Sequence, residues 1–119
     1  MMTDLVNEKK VVGWLVCYKG KLSGRCWSLY DGYNSVGYGA EQDVSLGDVS
    51  EETESLQFFI VYDNRKNEFH LVLDEDSKPI SINGQRVQEF QKIEGKTCII
   101  FGMEEYVFVP FCGDEYKWT

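Results

Sequence analysis

The chain has 119 residues, room for one domain whose single core buries about two thirds of the unfolded surface. Apolar residues make up 43% and charged residues 27%, with 7 Tyr, 7 Phe, 3 Trp and only 2 Pro, which excludes disordered, collagen-like and low-complexity classes. Twenty Asp and Glu against twelve Lys and Arg leave a net charge of -8, which repels polyanions and argues against a nucleic-acid partner.

Met1 to Lys10 (MMTDLVNEKK) lacks the apolar stretch of a signal peptide, and no apolar run approaches the length of a membrane span. The expectation is a cytoplasmic chain with no membrane contact by this domain. Lys9 and Lys10, half offset by Glu8, read as a solvated lead-in. Runs rich in Val, Ile, Phe, Tyr and Trp then recur roughly every ten residues, separated by Gly, Asn or Asp, which is the pattern of a β-sandwich or barrel. The predicted strands are 11–18, 25–29, 34–36, 44–46, 56–62, 68–72, 80–82, 86–89, 97–101 and 106–109. Turns are expected at Lys19-Gly20, Ser23-Gly24, Asp31-Gly32, Asn83-Gly84 and Glu94-Gly95, with Asn83-Gly84 the sharpest hairpin signal. Val49 to Leu56 (VSEETESL) is too short for a stable helix and reads as an acidic loop. The fold class is therefore all-β, a two-sheet sandwich forming one domain over 1–119 with its core at about 11–112.

Little in the sequence points to catalysis. His70 is the only imidazole, so neither a Cys-His nor a Ser-His-Asp arrangement has a second candidate, and a metal site would need three further ligands from elsewhere. Cys17 and Cys98 lie in apolar strands and are expected to be buried and inert; with Cys26 and Cys112 they form no C-x-x-C pair and are expected to be reduced. Trp14 and Trp27 are expected to fill the core. Asp74, Glu75 and Asp76 lack the spacing of a dedicated Ca²⁺ loop. No enzyme activity, cofactor or metal is expected.

The ordered series GWLVC, the turn KGKLSG, VGYG, DVSL, FFIVYD, EFHLV, SINGQRV, KTCIIFG and YVFVPF resembles a forkhead-associated (FHA) domain over nearly the whole chain. The opening GWLVC and the closing FCG before Trp118 look most like a bacterial branch. The resemblance implies an eleven-stranded sandwich whose loops, at one end, bind a phosphothreonine peptide. It also implies an arginine after the glycine of the third strand and a Ser-Arg-x-x-His loop, because a dianionic phosphate needs charge-assisted donors.

Carried over residue by residue, those positions have largely lost their cations. The glycine is Gly37, but Tyr38 stands where the arginine is expected. Thr53 takes the serine position, Glu54 the arginine beside it and Gln57 the histidine, while Lys78-Pro79 fall on the family's Asn-Gly. Tyr38 is either an exposed amphipathic anchor or a packed side chain. Residues 37–55 and 74–79 hold nine acids, Glu41, Asp43, Asp48, Glu51, Glu52, Glu54, Asp74, Glu75 and Asp76, against Lys78 alone. Like charges about 6 Å apart repel by roughly 3 kcal/mol at an effective dielectric of about 20. The expected function is a non-catalytic module for a protein or peptide partner, with phosphothreonine recognition lost or altered. The alternative is a phosphothreonine binder that uses loop amides, Thr53 and Lys78.

Overall fold

Leu15 and Cys17 in GWLVCYK, and Phe58, Ile60 and Tyr62 in QFFIVYD, recur at every second position, so a pleated strand turns each set to one side, and each set is buried. The computed structural model describes residues 9–50, 57–74, 80–87 and 89–118. Among them run eleven strands: β1 (Gly13–Lys19), β2 (Cys26–Leu29), β3 (Gly32–Gly37), β4 (Val44–Ser45), β5 (Gln57–Asp63), β6 (Glu68–Leu73), β7 (Ile80–Ile82), β8 (Gln85–Arg86), β9 (Phe90–Ile93), β10 (Thr97–Phe101) and β11 (Glu104–Pro110). One sheet has the order β2-β1-β11-β10-β7-β8 and the other β4-β3-β5-β6-β9. All pairings are antiparallel except β3 with β4, which run parallel with Val36 opposite Val44.

The inner faces meet through aromatic pairs. Phe58 of β5 packs edge-on to Phe101 of β10 at 4.7 Å between ring centroids, and Phe69 of β6 to Phe108 of β11 at 4.8 Å. Each such pair adds about 0.5–1.5 kcal/mol beyond the burial of its apolar area. Asn83 and Gly84, at φ 49° and 85°, supply the two positive dihedrals that a two-residue turn between β7 and β8 requires.

Three polar residues, Asn34, Thr97 and Glu104, are buried among the described residues, and Asn34 is the most fully bonded. Asn34 of β3 is 3% exposed. Its Oδ1 accepts from the Tyr30 amide at 2.9 Å, and its Nδ2 donates to the carbonyls of Tyr30 at 2.9 Å, Gly32 at 3.3 Å and Ile60 at 3.0 Å. That set satisfies both ends of the amide and ties the β2–β3 turn to β5.

Three sequence expectations need correction. The strand expected at 86–89 is not one element: β8 ends at Arg86, and a separate β9 starts at Phe90. FQKI turns Phe90 to solvent and buries Ile93, so its apolar residues fall on opposite faces and give no alternation signal. Trp14 is half-buried on the outer side of its sheet, edge-on to Phe111 at 6.2 Å, whereas Trp27 packs onto the core beside Tyr106. Cys98 is only half-buried, because the flanking Thr97 and Ile99 take the inward positions. All four cysteines are free thiols, with Cys17 and Cys112 buried and Cys26 exposed.

Tyr62 makes the stability sensitive to alkali. It is 4% exposed, its hydroxyl donates to Asn67 Oδ1 at 2.6 Å, and Asn67 in turn donates to the Gly113 carbonyl at 2.7 Å. Burial, with the Cys112 thiol beside it, pushes the hydroxyl up to about 12. In the unfolded chain a tyrosine ionises near about 10. The folded form therefore keeps a proton that the unfolded form has shed, and the contribution is complete below about pH 10 and lost as pH rises towards 12. Urea unfolding at about pH 8 and about pH 11.5 is expected to show a drop of about 2 kcal/mol from this group. Tyr62→Phe is expected to shrink the drop, and an unchanged drop in that variant would sink the assignment.

Candidate functional site

One end of the sandwich gathers the exit of β1, the β3–β4 connection, the exit of β4, the entry to β5, the exit of β6 and the β10–β11 hairpin. The strand registers fix this: Lys19 lies opposite Glu105, Gly37 opposite Gln57, Phe58 opposite Leu73, and Phe101 opposite both Glu104 and Ile80. Of the residues expected from sequence, Gly37 and Tyr38 are brought to this end, while Thr53, Glu54 and Lys78 lie outside the described residues.

Gly37 closes β3, and its carbonyl accepts from the Leu46 amide at 2.8 Å, while the Gly39 amide donates to the Gly47 carbonyl at 2.8 Å. These two bonds hold residues 38–46 as a loop against the sheet. Tyr38 is packed rather than presented: its ring is half-buried against the core and lies over Gly47, where an added Cβ would stand 3.7 Å from Cδ2. Its hydroxyl donates to Glu104 Oε1 at 3.5 Å. Of the two readings of Tyr38 taken from the sequence, packing is the one the chain adopts.

Glu104 is the residue that sequence reasoning missed. It opens β11, is 7% exposed, and accepts from the Lys21 backbone amide at 3.3 Å through Oε2. Its side chain lies across Gly20, whose φ of 122° and lack of a Cβ leave the space it occupies. The signal was present in the alternation, since Glu104, Tyr106 and Phe108 share one face of β11 and all are buried.

The carboxylate sets the electrostatics of its neighbours. Burial first, then the Glu104 charge, raises the Tyr38 hydroxyl and the Cys17 thiol above their ordinary values. Tyr106 is raised by burial, then by Tyr38 and Glu104, and its hydroxyl has no hydrogen-bond partner among the described residues. All three therefore stay neutral at physiological pH.

The other described charges here are mostly acidic. Residues 37–50 carry Glu41, Asp43 and Asp48 and no Lys or Arg. Asp43 Oδ2 accepts from the Ser35 amide at 2.9 Å and hydroxyl at 3.2 Å, and Glu41 folds over Gly39. Among the described cations at this end, Lys19 pairs with Glu105 at 3.8 Å and Arg25 stacks on Trp27 at 5.3 Å on the β1–β2 side, while Arg86 lies opposite Ser81, next to Ile80. Chemically, the end offers carboxylate acceptors and a phenol whose single proton is already committed.

Known structures resolve what scaffold carries this end. An FHA domain from Chlamydia trachomatis superposes with a TM-score of 0.69 at 14% identity, over 84% of this chain and 98% of that one. The fold is that of a forkhead-associated domain. Mycobacterium tuberculosis EmbR, solved in complex with a low-affinity phosphopeptide, matches with a TM-score of 0.68 at 16% identity, over 97% of this chain and 30% of that one. The FHA domain of an Arabidopsis thaliana protein matches with a TM-score of 0.66 at 14% identity, over 90% and 92%. No protein-family model and no curated protein matches the sequence. The eleven strands among the described residues agree with the eleven implied by the resemblance.

Proposed function

We propose that this chain is a non-catalytic protein-interaction module, a single domain over residues 1–119, whose loop end contacts a protein or peptide without depending on a phosphothreonine. The observation that carries the reading is the Tyr38–Glu104 contact. At the position where the FHA resemblance calls for an arginine, a neutral phenol donates to a nearly buried carboxylate, so an arriving phosphate would meet a negative charge in place of a fixed guanidinium. The described loop residues Glu41, Asp43 and Asp48 add to that field and suit a basic or unphosphorylated partner surface. The competing reading, a phosphothreonine held by loop amides, Thr53 and Lys78, draws on the FHA fold alone.

Isothermal titration with matched phosphothreonine and plain peptides tests the reading. The unmodified protein is expected to bind both no better than about millimolar, with less than about tenfold between them. A phosphate-dependent gain of about tenfold or more, about 1.4 kcal/mol, would restore the competing reading.

A further inference from the structure

Opposite the loop end, about 20 Å away along β1, the lead-in to β1 meets the β2–β3 and β5–β6 turns and the tail that follows β11. Between them lies a cavity of about 750 Å³. That is within the range of about 300–1,000 Å³ typical of small-molecule sites. Val12, Tyr30, Tyr62 and Trp118 give it an apolar, largely aromatic lining. Trp118 is fixed there by its Nε1, which donates to the Val11 carbonyl at 2.7 Å, and by its ring against Phe111 at 5.3 Å.

Lys9, Lys10 and Lys117 stand around the same cavity. Lys9 lies over the Tyr30 ring at 5.6 Å and Lys10 over the Trp118 ring at 5.5 Å, so two of the cations are already aimed at the aromatic lining. None of the three has a carboxylate partner among the described residues. In a chain with twenty acids and twelve bases, three lysines gathered on one apolar pocket with no carboxylate partner among the described residues are the reverse of what the composition alone would give. Asp31 also faces the cavity, but its Oδ2 is engaged by Asn64 Nδ2 at 2.8 Å, and the local balance stays positive.

We infer that this cavity is a binding site for an aromatic carboxylate, whose ring lies among Tyr30, Tyr62 and Trp118 and whose anionic group is held by Lys9, Lys10 and Lys117. The ring supplies the apolar burial, and the lysines select the charged form over a neutral isostere. A free aromatic acid and an aromatic residue flanked by acidic side chains in a peptide share this chemistry.

N-acetyltryptophan and its neutral amide form a matched pair that differs only in the charge the lysines would read. Titrated into the whole chain and followed by amide and indole NMR signals, the acid is expected to bind at least about fivefold more tightly than the amide at low salt. The signals of Val11, Val12, Tyr30 and the Trp118 indole should move, and those of Gly37 to Gly47 should not. Lys10→Glu with Lys117→Glu should remove that preference, and the milder Lys10→Gln with Lys117→Gln should reduce it while keeping the fold, which circular dichroism reports. An end-blocked peptide with Trp between two glutamates names the source: tighter binding than the free acid assigns it to a peptide, and weaker binding to a small acid. Equal affinity for acid and amide, signals moving at another face, an unchanged preference in the folded lysine variants, or no saturable shift at millimolar ligand would each overturn the inference.

Discussion

Asn34→Ala is expected to lower the unfolding free energy by about 3 kcal/mol or more, measured by urea denaturation at neutral pH. The substitution removes the partner of the Tyr30 amide and of the Tyr30 and Ile60 carbonyls at a site that is 3% exposed. Each buried backbone group left unpaired costs about 1–3 kcal/mol, whereas an ordinary surface substitution changes stability by no more than about 0.5 kcal/mol. Asn34→Asp keeps the acceptor for the Tyr30 amide but places a carboxylate against two carbonyls, so it should be no milder than alanine. A loss below about 1 kcal/mol for Asn34→Ala would show that the turn finds other partners for these groups.

The largest functional change is expected from Tyr38→Arg combined with Glu104→Gln. Arginine at position 38 alone would be drawn to the Glu104 carboxylate, which already accepts from the tyrosine hydroxyl at this position, and would gain little preference for phosphate. Glutamine at 104 keeps an acceptor for the Lys21 amide while removing the charge. The double variant is therefore expected to bind a phosphothreonine peptide at least about tenfold more tightly than its plain form, about 1.4 kcal/mol, by the same titration. The single Tyr38→Arg variant should show much less. A double variant without preference would mean that the Gly37–Tyr38 turn does not occupy the phosphate position that the FHA resemblance assigns to it.

How far the sequence could be read follows from where its information is stored. Alternation is a local property, so VVGWLVCY, LQFFIVY and TCIIF placed β1, β5 and β10 to within two residues at either end. Turn chemistry is local as well, and Asn83-Gly84 was legible for that reason. β9 was not, because its one inward residue, Ile93, carries no repeat, and the strand exists by pairing with β6. The site divided in the same way. A missing arginine at Tyr38 shows in a sequence alignment, but the partner of Tyr38 lies 66 positions further along the chain. Glu104 drew no notice in the sequence because an acid at a strand start gives no core signal by residue type, although its position in β11 places it on the core face. The lysine cavity escaped for a related reason: Lys9, Lys10 and Lys117 come from opposite ends of the sequence, and only the fold brings them together.

The pairing of β1 with β11 also determines when the molecule can form. β1 lies between β2 and β11, and β11 is the last of these eleven strands to leave the ribosome. The hydrogen bonds on one whole side of β1 are therefore unavailable until residues 104–110 have emerged. A nascent chain could build the β5–β6 hairpin, yet its six-stranded sheet would stay split, with β1 and β2 apart from β7, β8 and β10, until β11 had emerged. Closing so long a loop before any contact rewards it places this chain among the slow, high-contact-order folders, with expected times of about milliseconds to seconds. During that wait the exposed edges of β1 and β10 are the segments most open to pairing with another chain, which makes the interval before β11 emerges the period in which a holding chaperone would matter most.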